Sequence, residues 1–317
     1  MIAGFEILNA SNTSEGILKY REKGAVRGAY LGFPELHEYY TMSLSGVTDW
    51  TGFPQSGKSE ILLECLLNTS LYYGWKHLLY VPDIGDKNEI LAILIHKITG
   101  KTFDKRYENS NYISEGEVIK ELDWVLHHFR ILHKTDLKSK ITPYQFWDLA
   151  VELNNQIEGG IQTASIDSWK DMKHDFSSFG REDKYLEDVL SYRNSIAETH
   201  KIHLHTVIHP RGGTDKDSNG VRKPPKPDDL KGGSEWWNNG KCMITIHRPE
   251  NSKNGVDFIV TKAKPKSVAK QGKVQMFFDF KLNKYYWDNN GQSKYASPEY
   301  VKPVGITINE DDDDLPF

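Results

Sequence analysis

The segment Gly52-Phe53-Pro54-Gln55-Ser56-Gly57-Lys58-Ser59 restricts what this chain can fold into more than any other stretch. It fits the pattern Gly-x4-Gly-Lys-Ser, follows an apolar strand pattern (Val47 to Thr51), and opens a helix pattern with Ile61, Leu62, Cys65 and Leu66 on one side. In such a loop, glycines let backbone N–H groups curl around phosphate oxygens, and the following helix N-terminus adds a favourable field. Gly52, Gln55, Ser56, Gly57, Lys58 and Ser59 are therefore expected to hold the phosphates of ATP. Lys58 would reach the β and γ oxygens, and Ser59 would ligate Mg²⁺.

Around this unit the chain alternates short apolar runs with amphipathic helical patterns, as expected of an α/β fold with a mostly parallel central sheet flanked by helices. Strands are expected at Gly46 to Thr51, His77 to Pro82, Gln162 to Asp167, His203 to His209 and Cys242 to His247. An antiparallel set follows at Asp257 to Thr261, Val274 to Phe280 and Lys284 to Trp287. The clearest helices are Lys58 to Tyr72, Lys87 to Ile98, Glu115 to Phe129, Pro143 to Gln156 and Glu182 to His200. Residues 1–30 read as an N-terminal arm, 31–304 as one ATPase domain, and 305–317 as an acidic tail. Residues 211–233, rich in Gly, Pro, Lys and Asp, read as a long loop.

A phosphate loop needs a second carboxylate at a neighbouring strand end to hold the metal's water shell. Asp167, after Ile166, supplies it, so Ser59 and Asp167 are the expected metal residues. Cys65 and Cys242 have no Cys or His at ligand spacing and read as packing residues.

Four segments together resemble the DnaB-type hexameric helicases, most like the Twinkle-like and phage primase-helicase branch, over about residues 27–290. They are Gly32 to Tyr40 with the phosphate loop and its Lys58-Ser59-Glu60 ending; Ser165-Ile166-Asp167-Ser168-Trp169-Lys170-Asp171; Val207-Ile208-His209-Pro210-Arg211; and Pro224 to Asn238 continuing to Ile246-His247-Arg248. The resemblance implies a RecA-like P-loop ATPase core, a homo-oligomeric ring such as a hexamer, ATP between subunits, and single-stranded DNA in the channel. It implies that His209 senses the γ-phosphate and that the basic loop, with Arg211, Lys216, Arg222, Lys223, Lys226 and Lys231, grips DNA. Neither a primase domain nor the family's N-terminal domain is seen in the sequence, so priming is expected from another chain.

The chain departs from that family twice. Where the family has a Glu after the second strand to activate water, this sequence has Asp83, one methylene shorter. Where the family has Lys-x-Arg to complete the next subunit's site, this sequence has Lys262-Ala263-Lys264, and a Lys cannot reproduce a planar bidentate grip. Either Lys264 serves weakly, another Arg moves in, or the ring turns over slowly. The expected catalytic set is Lys58, Asp83, Asp167 and His209, with Lys262 and Lys264 as nucleotide-binding residues in trans.

The net charge of −4 conceals a tail of five acids, Glu310 to Asp314; the remainder is about +1. Arg211 to Lys231 carries six basic and four acidic residues, and Lys253 to Lys273 six basic and one acidic. The lysines from Lys262 to Lys273 are expected to lack partners in their own subunit. The tail ends Leu315-Pro316-Phe317, apolar residues that a purely solvating segment has no use for, so it is expected to dock on a polymerase, primase or loader. No apolar run is long enough to span a bilayer, so a cytoplasmic protein is expected, in the host cytoplasm if phage-encoded. Two other readings share much of this chemistry: a RecA-class recombinase or loader that forms a filament, and a weakly hydrolysing, nucleotide-bound interaction protein.

Overall fold

The structure, a computed structural model, describes residues 4, 6–24, 27–136, 138–212, 216, 218, 220, 222–250 and 252–296. The acidic tail lies outside them. In chain order the elements are α1 (Ala10–Lys23), α2 (Pro34–His37), β1 (Val47–Thr51), α3 (Lys58–Tyr73), β2 (His77–Tyr80), α4 (Lys87–Thr99), α5 (Glu115–His128), β3 (Phe129–Ile131), α6 (Pro143–Gln156), β4 (Thr163–Asp167), α7 (Phe176–Phe179), α8 (Glu182–His200), β5 (His203–Ile208), α9 (Gly233–Asn239), β6 (Cys242–His247), β7 (Gly255–Lys262), β8 (Gly272–Asp279), β9 (Lys284–Asn289) and β10 (Gln292–Tyr295).

Local chemistry marks the helix ends. Asp86 caps α4 by accepting from the Asn88 and Glu89 amides, while Ser114 with Glu117 and Thr142 with Gln145 form reciprocal capping boxes on α5 and α6. Gly74 and Gly100 end α3 and α4 in the left-handed conformation. Asn9 caps α1 in the same reciprocal way with Asn12, so the expected arm contains a helix, although none of its residues is buried.

The strands form one sheet in the order β10-β9-β8-β7-β6-β1-β5-β4-β2-β3. The six strands from β6 to β3 are parallel, and β7 to β10 add on antiparallel. Register brings the strand ends level: Thr51 lies opposite Ile208, Asp167 opposite Val207, and Tyr80 opposite Ile166. Loops leaving β1, β2, β4 and β5 therefore emerge along one edge, where ligands collect in open parallel sheets.

The sheet is buried on both faces. One core joins α3, α4 and α5 to the antiparallel strands through residues such as Trp50, Ile61, Leu66, Leu94 and Phe258. The other joins α6, α8 and α9 through Phe146, Trp147, Val189, Leu190 and Trp236. α3 is buried almost all round, as a helix in the centre of a large core must be. Cys65 and Cys242 are both buried, as packing residues should be. Among the described residues, no helix is long and apolar enough to cross a membrane.

Candidate nucleotide and nucleic-acid site

The loop between β1 and α3 is shaped by two glycines that tolerate no side chain. A Cβ on Gly52 would lie 2.2 Å from the Ile246 carbonyl oxygen, and one on Gly57, which sits at φ +96°, would meet the Tyr285 hydroxyl at 2.5 Å. Lys58, a charged residue at a loop–helix junction, is buried rather than solvated, and its ammonium donates to the Gly52 and Phe53 carbonyl oxygens, both at 2.9 Å. The loop folds over the amine, so those two carbonyls occupy donors that an incoming phosphate would take. Burial lowers the amine to about 8, with the Asp167 charge opposing. The Ser56 hydroxyl is buried without a hydrogen-bond partner among the described residues, a donor left for an anion.

Asp167 ends β4 with 7% of its surface exposed. Burial raises its pKa; a hydrogen bond from the Ser59 side chain and the Lys58 charge work against that. Ser59 and Asp167 thus present hard oxygen atoms side by side, the donor type Mg²⁺ takes while keeping several waters. Among the described residues, no group of three or more His, Cys, Asp or Glu side chains could hold a metal ion unaided.

Asp83 follows β2 in a single 3-10 turn (Pro82–Ile84), and its Oδ2 lies 2.6 Å from the Lys170 ammonium. His209 follows β5, and its Nδ1 is buried without a hydrogen-bond partner among the described residues. Burial lowers the imidazole, the Lys58 and Lys170 ammonium charges lower it further, and Asp83 and Asp171 oppose them. Lys58, Asp83, Asp167, Lys170, Asp171 and His209 therefore share one electrostatic neighbourhood.

The basic loop starts two residues beyond His209 and is closed at its base, where Pro210 bridges Leu230 and the Arg211 amide donates to Asp229 at 2.7 Å. Arg211, Lys216, Arg222, Lys223, Lys226 and Lys231 are all exposed. Two of them have company: the Arg222 guanidinium lies 5.4 Å from the ring of Phe53 in the phosphate loop, and Lys231 pairs with Glu182 at 2.9 Å.

The lysines of the antiparallel strands differ from the expectation in having partners within the chain. Lys262 is buried, donates to the Trp237 carbonyl and lies 5.1 Å from the Trp237 ring. Lys270 reaches Glu38, and Lys273 reaches Asp257. Lys262 pairs with Met243, which pairs with Asp49, so Lys262 lies level with the middle of β1. The exposed Lys264 lies further still from the phosphate-loop edge. Within one chain the two lysines do not meet Lys58.

Two residues with no assigned role also border the site. Arg248, just after β6, has a terminal nitrogen 4.0 Å from where a Cβ of Gly57 would stand, and its Nε is buried without a partner among the described residues. Its guanidinium lies 5.8 Å from the ring of Phe280, which is 63% exposed. In the sequence Phe280 is only an aromatic at the end of a strand pattern, in phase with the buried Val274, Met276 and Phe278, so alternation gave no sign of its exposure. Beneath the loop, Tyr285 donates its hydroxyl to the Gly57 carbonyl at 3.2 Å and its amide to Glu64 at 2.9 Å. Lys97, fully buried, pairs with Glu60 at 2.8 Å and Glu64 at 3.4 Å, tying α4 to the phosphate-loop helix.

No family model matches the chain. The Twinkle homolog protein, chloroplastic/mitochondrial, of Arabidopsis thaliana is 24% identical over 270 residues, which are 84% of this chain and 37% of that protein. The chain thus spans well under half the length of that relative. Among solved structures, an isolated ATPase domain superposes with a TM-score of 0.70 at 14% identity, covering 88% of this chain and 99% of that one. A DnaB-like replicative helicase, described with its interactions with primase, gives a TM-score of 0.69 at 14% identity over 88% of this chain and 67% of that one. The likeness to DnaB-type helicases and the α/β fold with a mostly parallel central sheet flanked by helices are borne out.

Proposed function

We propose that the chain is the ATP-hydrolysing core of a DNA helicase that assembles as a homo-oligomeric ring, a hexamer, on single-stranded DNA during replication. The observation that carries this reading is the meeting, at one strand edge, of the phosphate loop, the Ser59 and Asp167 oxygens, Asp83 and His209, with the basic loop anchored immediately after His209. The names of the similar proteins supply the helicase class.

In this reading Lys58 leaves the Gly52 and Phe53 carbonyls for the β and γ oxygens, and the Ser56 hydroxyl and loop amides complete the cradle. Ser59 and Asp167 would hold Mg²⁺, which supplies charge neutralisation when bound. Asp83 orients the attacking water. His209 loses a hydrogen-bond partner when the terminal phosphate leaves, and its strand leads directly into the DNA loop, so the loss is passed to the grip on DNA. The Phe280 ring and Arg248 guanidinium offer the nucleoside base a stacking face. Lys262 is held by Trp237 within its own chain, so in the ring the exposed Lys264 is the lysine left to approach a neighbouring subunit's phosphate.

Asp83 and the missing trans arginine favour a second reading, a slow ATPase that keeps nucleotide as a structural ligand. Single-stranded-DNA stimulation of ATP turnover separates the two: a motor is stimulated, a structural nucleotide site is not. We assign the acidic run with Leu315, Pro316 and Phe317 to docking on a polymerase, primase or loader. Deleting those three residues would then abolish partner recovery and leave ATP turnover unchanged.

A further inference from the structure

Lys170 occupies a place in the site that neither the phosphate loop nor the strand-end carboxylates explain. Its ammonium stands 2.6 Å from Asp83 Oδ2 and 3.6 Å from Asp171 Oδ2, and Asp171 is itself held by the Ser168 hydroxyl at 2.6 Å. The backbone that carries it is fixed. The Trp169 ring stacks on Trp147 at 6.5 Å and meets the edge of Trp236 at 5.0 Å, while the Trp169 carbonyl accepts from His174 Nε2 at 2.9 Å.

The side chain, by contrast, is free to move. Lys170 is 53% exposed and Asp83 is 51% exposed, and an ion pair that wet is weak and easily exchanged. A terminal phosphate, carrying more charge than one carboxylate and lying in the same neighbourhood as Asp167 and His209, is the stronger partner for the same ammonium. A phosphoryl-transfer site gains from a further cation beside the phosphate-loop lysine. Lys262 is spent on Trp237 in its own chain, and the position where a trans arginine would stand holds Lys264.

We infer that Lys170 is a catalytic cation acting in cis, paired with Asp83 when the terminal phosphate is absent and bound to its oxygens when ATP is loaded. This rests on the ATPase reading above. The exchange does two things at once: it adds charge where the transferring group accumulates it, and it frees Asp83 to orient water. The water oxygen then bonds to the γ phosphorus as the bond to the β–γ bridging oxygen breaks. One water proton passes to Asp83 and on to the released phosphate, leaving ADP and phosphate.

The test compares affinities for Mg–ADP and Mg–ATPγS in the parent, Lys170→Ala, Lys170→Arg and Lys58→Ala. Lys170→Ala should weaken ATPγS binding by about ten- to a hundredfold, the effect of one charge-assisted hydrogen bond, and leave ADP binding unchanged. Lys170→Arg should keep most of the preference for ATPγS. Lys58→Ala should weaken both nucleotides. Equal ATPγS affinity in Lys170→Ala and parent, or an equal loss for both nucleotides, would overturn the assignment. A parent that binds neither nucleotide would remove the ATPase reading itself, and this inference with it.

Discussion

The Arg193 guanidinium, carried by α8, closes on the Asp49 carboxylate in the middle of β1 at 2.5 and 3.3 Å, with no more than 1% of either side chain exposed. The same guanidinium donates to Thr206 of β5 at 3.1 Å and lies 5.6 Å from the Trp236 ring of α9. One side chain thus joins the strand that feeds the phosphate loop, the strand that precedes His209, and the helix that follows the basic loop. Removing one partner of a buried pair leaves the other charge uncompensated, so Arg193→Ala should cost about 3–5 kcal/mol. Urea denaturation checks this. Replacing both partners with apolar residues, Asp49→Leu with Arg193→Met, should cost less than Arg193→Ala alone.

A second stability prediction concerns pH. His77, His203 and His205 lie fully buried within the sheet, where burial holds them down: His77 to about 3, His203 to about 4, and His205 well below the ordinary value. Their partners are neutral: His77 contacts Thr163 and Ser70, and His203 contacts Thr48 and the Ser43 carbonyl. The unfolded chain binds protons on these rings below about pH 6.5, whereas the folded chain does not. Stability is therefore complete above that pH and falls as pH drops towards 4, by up to about 1.4 kcal/mol per pH unit for each ring. Denaturation midpoints between pH 7.5 and 5 should decline accordingly; a flat profile would show that the rings are solvated.

Most of the architecture was legible in the sequence because the parallel strands are short apolar runs and the helices carry their own caps. Cys242 to His247, Pro143 to Gln156 and Glu182 to His200 have the expected boundaries. β3 escaped because Phe129 both caps α5 and begins the strand, leaving no turn signal between them. β10, Gln-Ser-Lys-Tyr, is a polar edge strand without the apolar alternation that marks buried ones. In the site, the phosphate loop and strand ends were legible from motif and order. The burial of Lys58 was not, because it depends on how the loop backbone folds over the amine; nor were the clasp of Lys170 on Asp83 and the pairing of Arg248 with Phe280, which depend on side chains from different segments meeting in space.

At the catalytic edge, Asp83→Glu should preserve or raise ATP turnover by restoring the longer reach, even though it keeps the ion pair with Lys170. Asp83→Asn should lower turnover by about 10²–10⁴-fold, the usual contribution of a positioned base. Steady-state rates at saturating Mg–ATP decide it. Three equal rates would move the role to another carboxylate, with Glu60 next in line.

For the basic loop proposed to grip DNA, Lys and Arg without an aromatic residue among them point to phosphate contacts and sequence-tolerant binding. Each contact on a single strand contributes about −0.7 to the slope of log affinity against log salt concentration. Replacing Arg222 and Lys223 by Ala should flatten that slope by about 1.4 in a titration of labelled oligonucleotide. Because Arg222 also leans on Phe53, the double variant should weaken DNA stimulation of ATP turnover as well. An unchanged slope would place the grip elsewhere.

The central claim, that ATP hydrolysis at Lys58 drives strand separation, is tested most directly by unwinding of a labelled DNA fork with Mg–ATP. The parent should release the labelled strand in an ATP-dependent manner, while Lys58→Ala, folded by circular dichroism and melting with the parent, should release none. Fork unwinding by Lys58→Ala at the parent rate, or no unwinding by a parent that binds both the fork and ATP, would contradict the account.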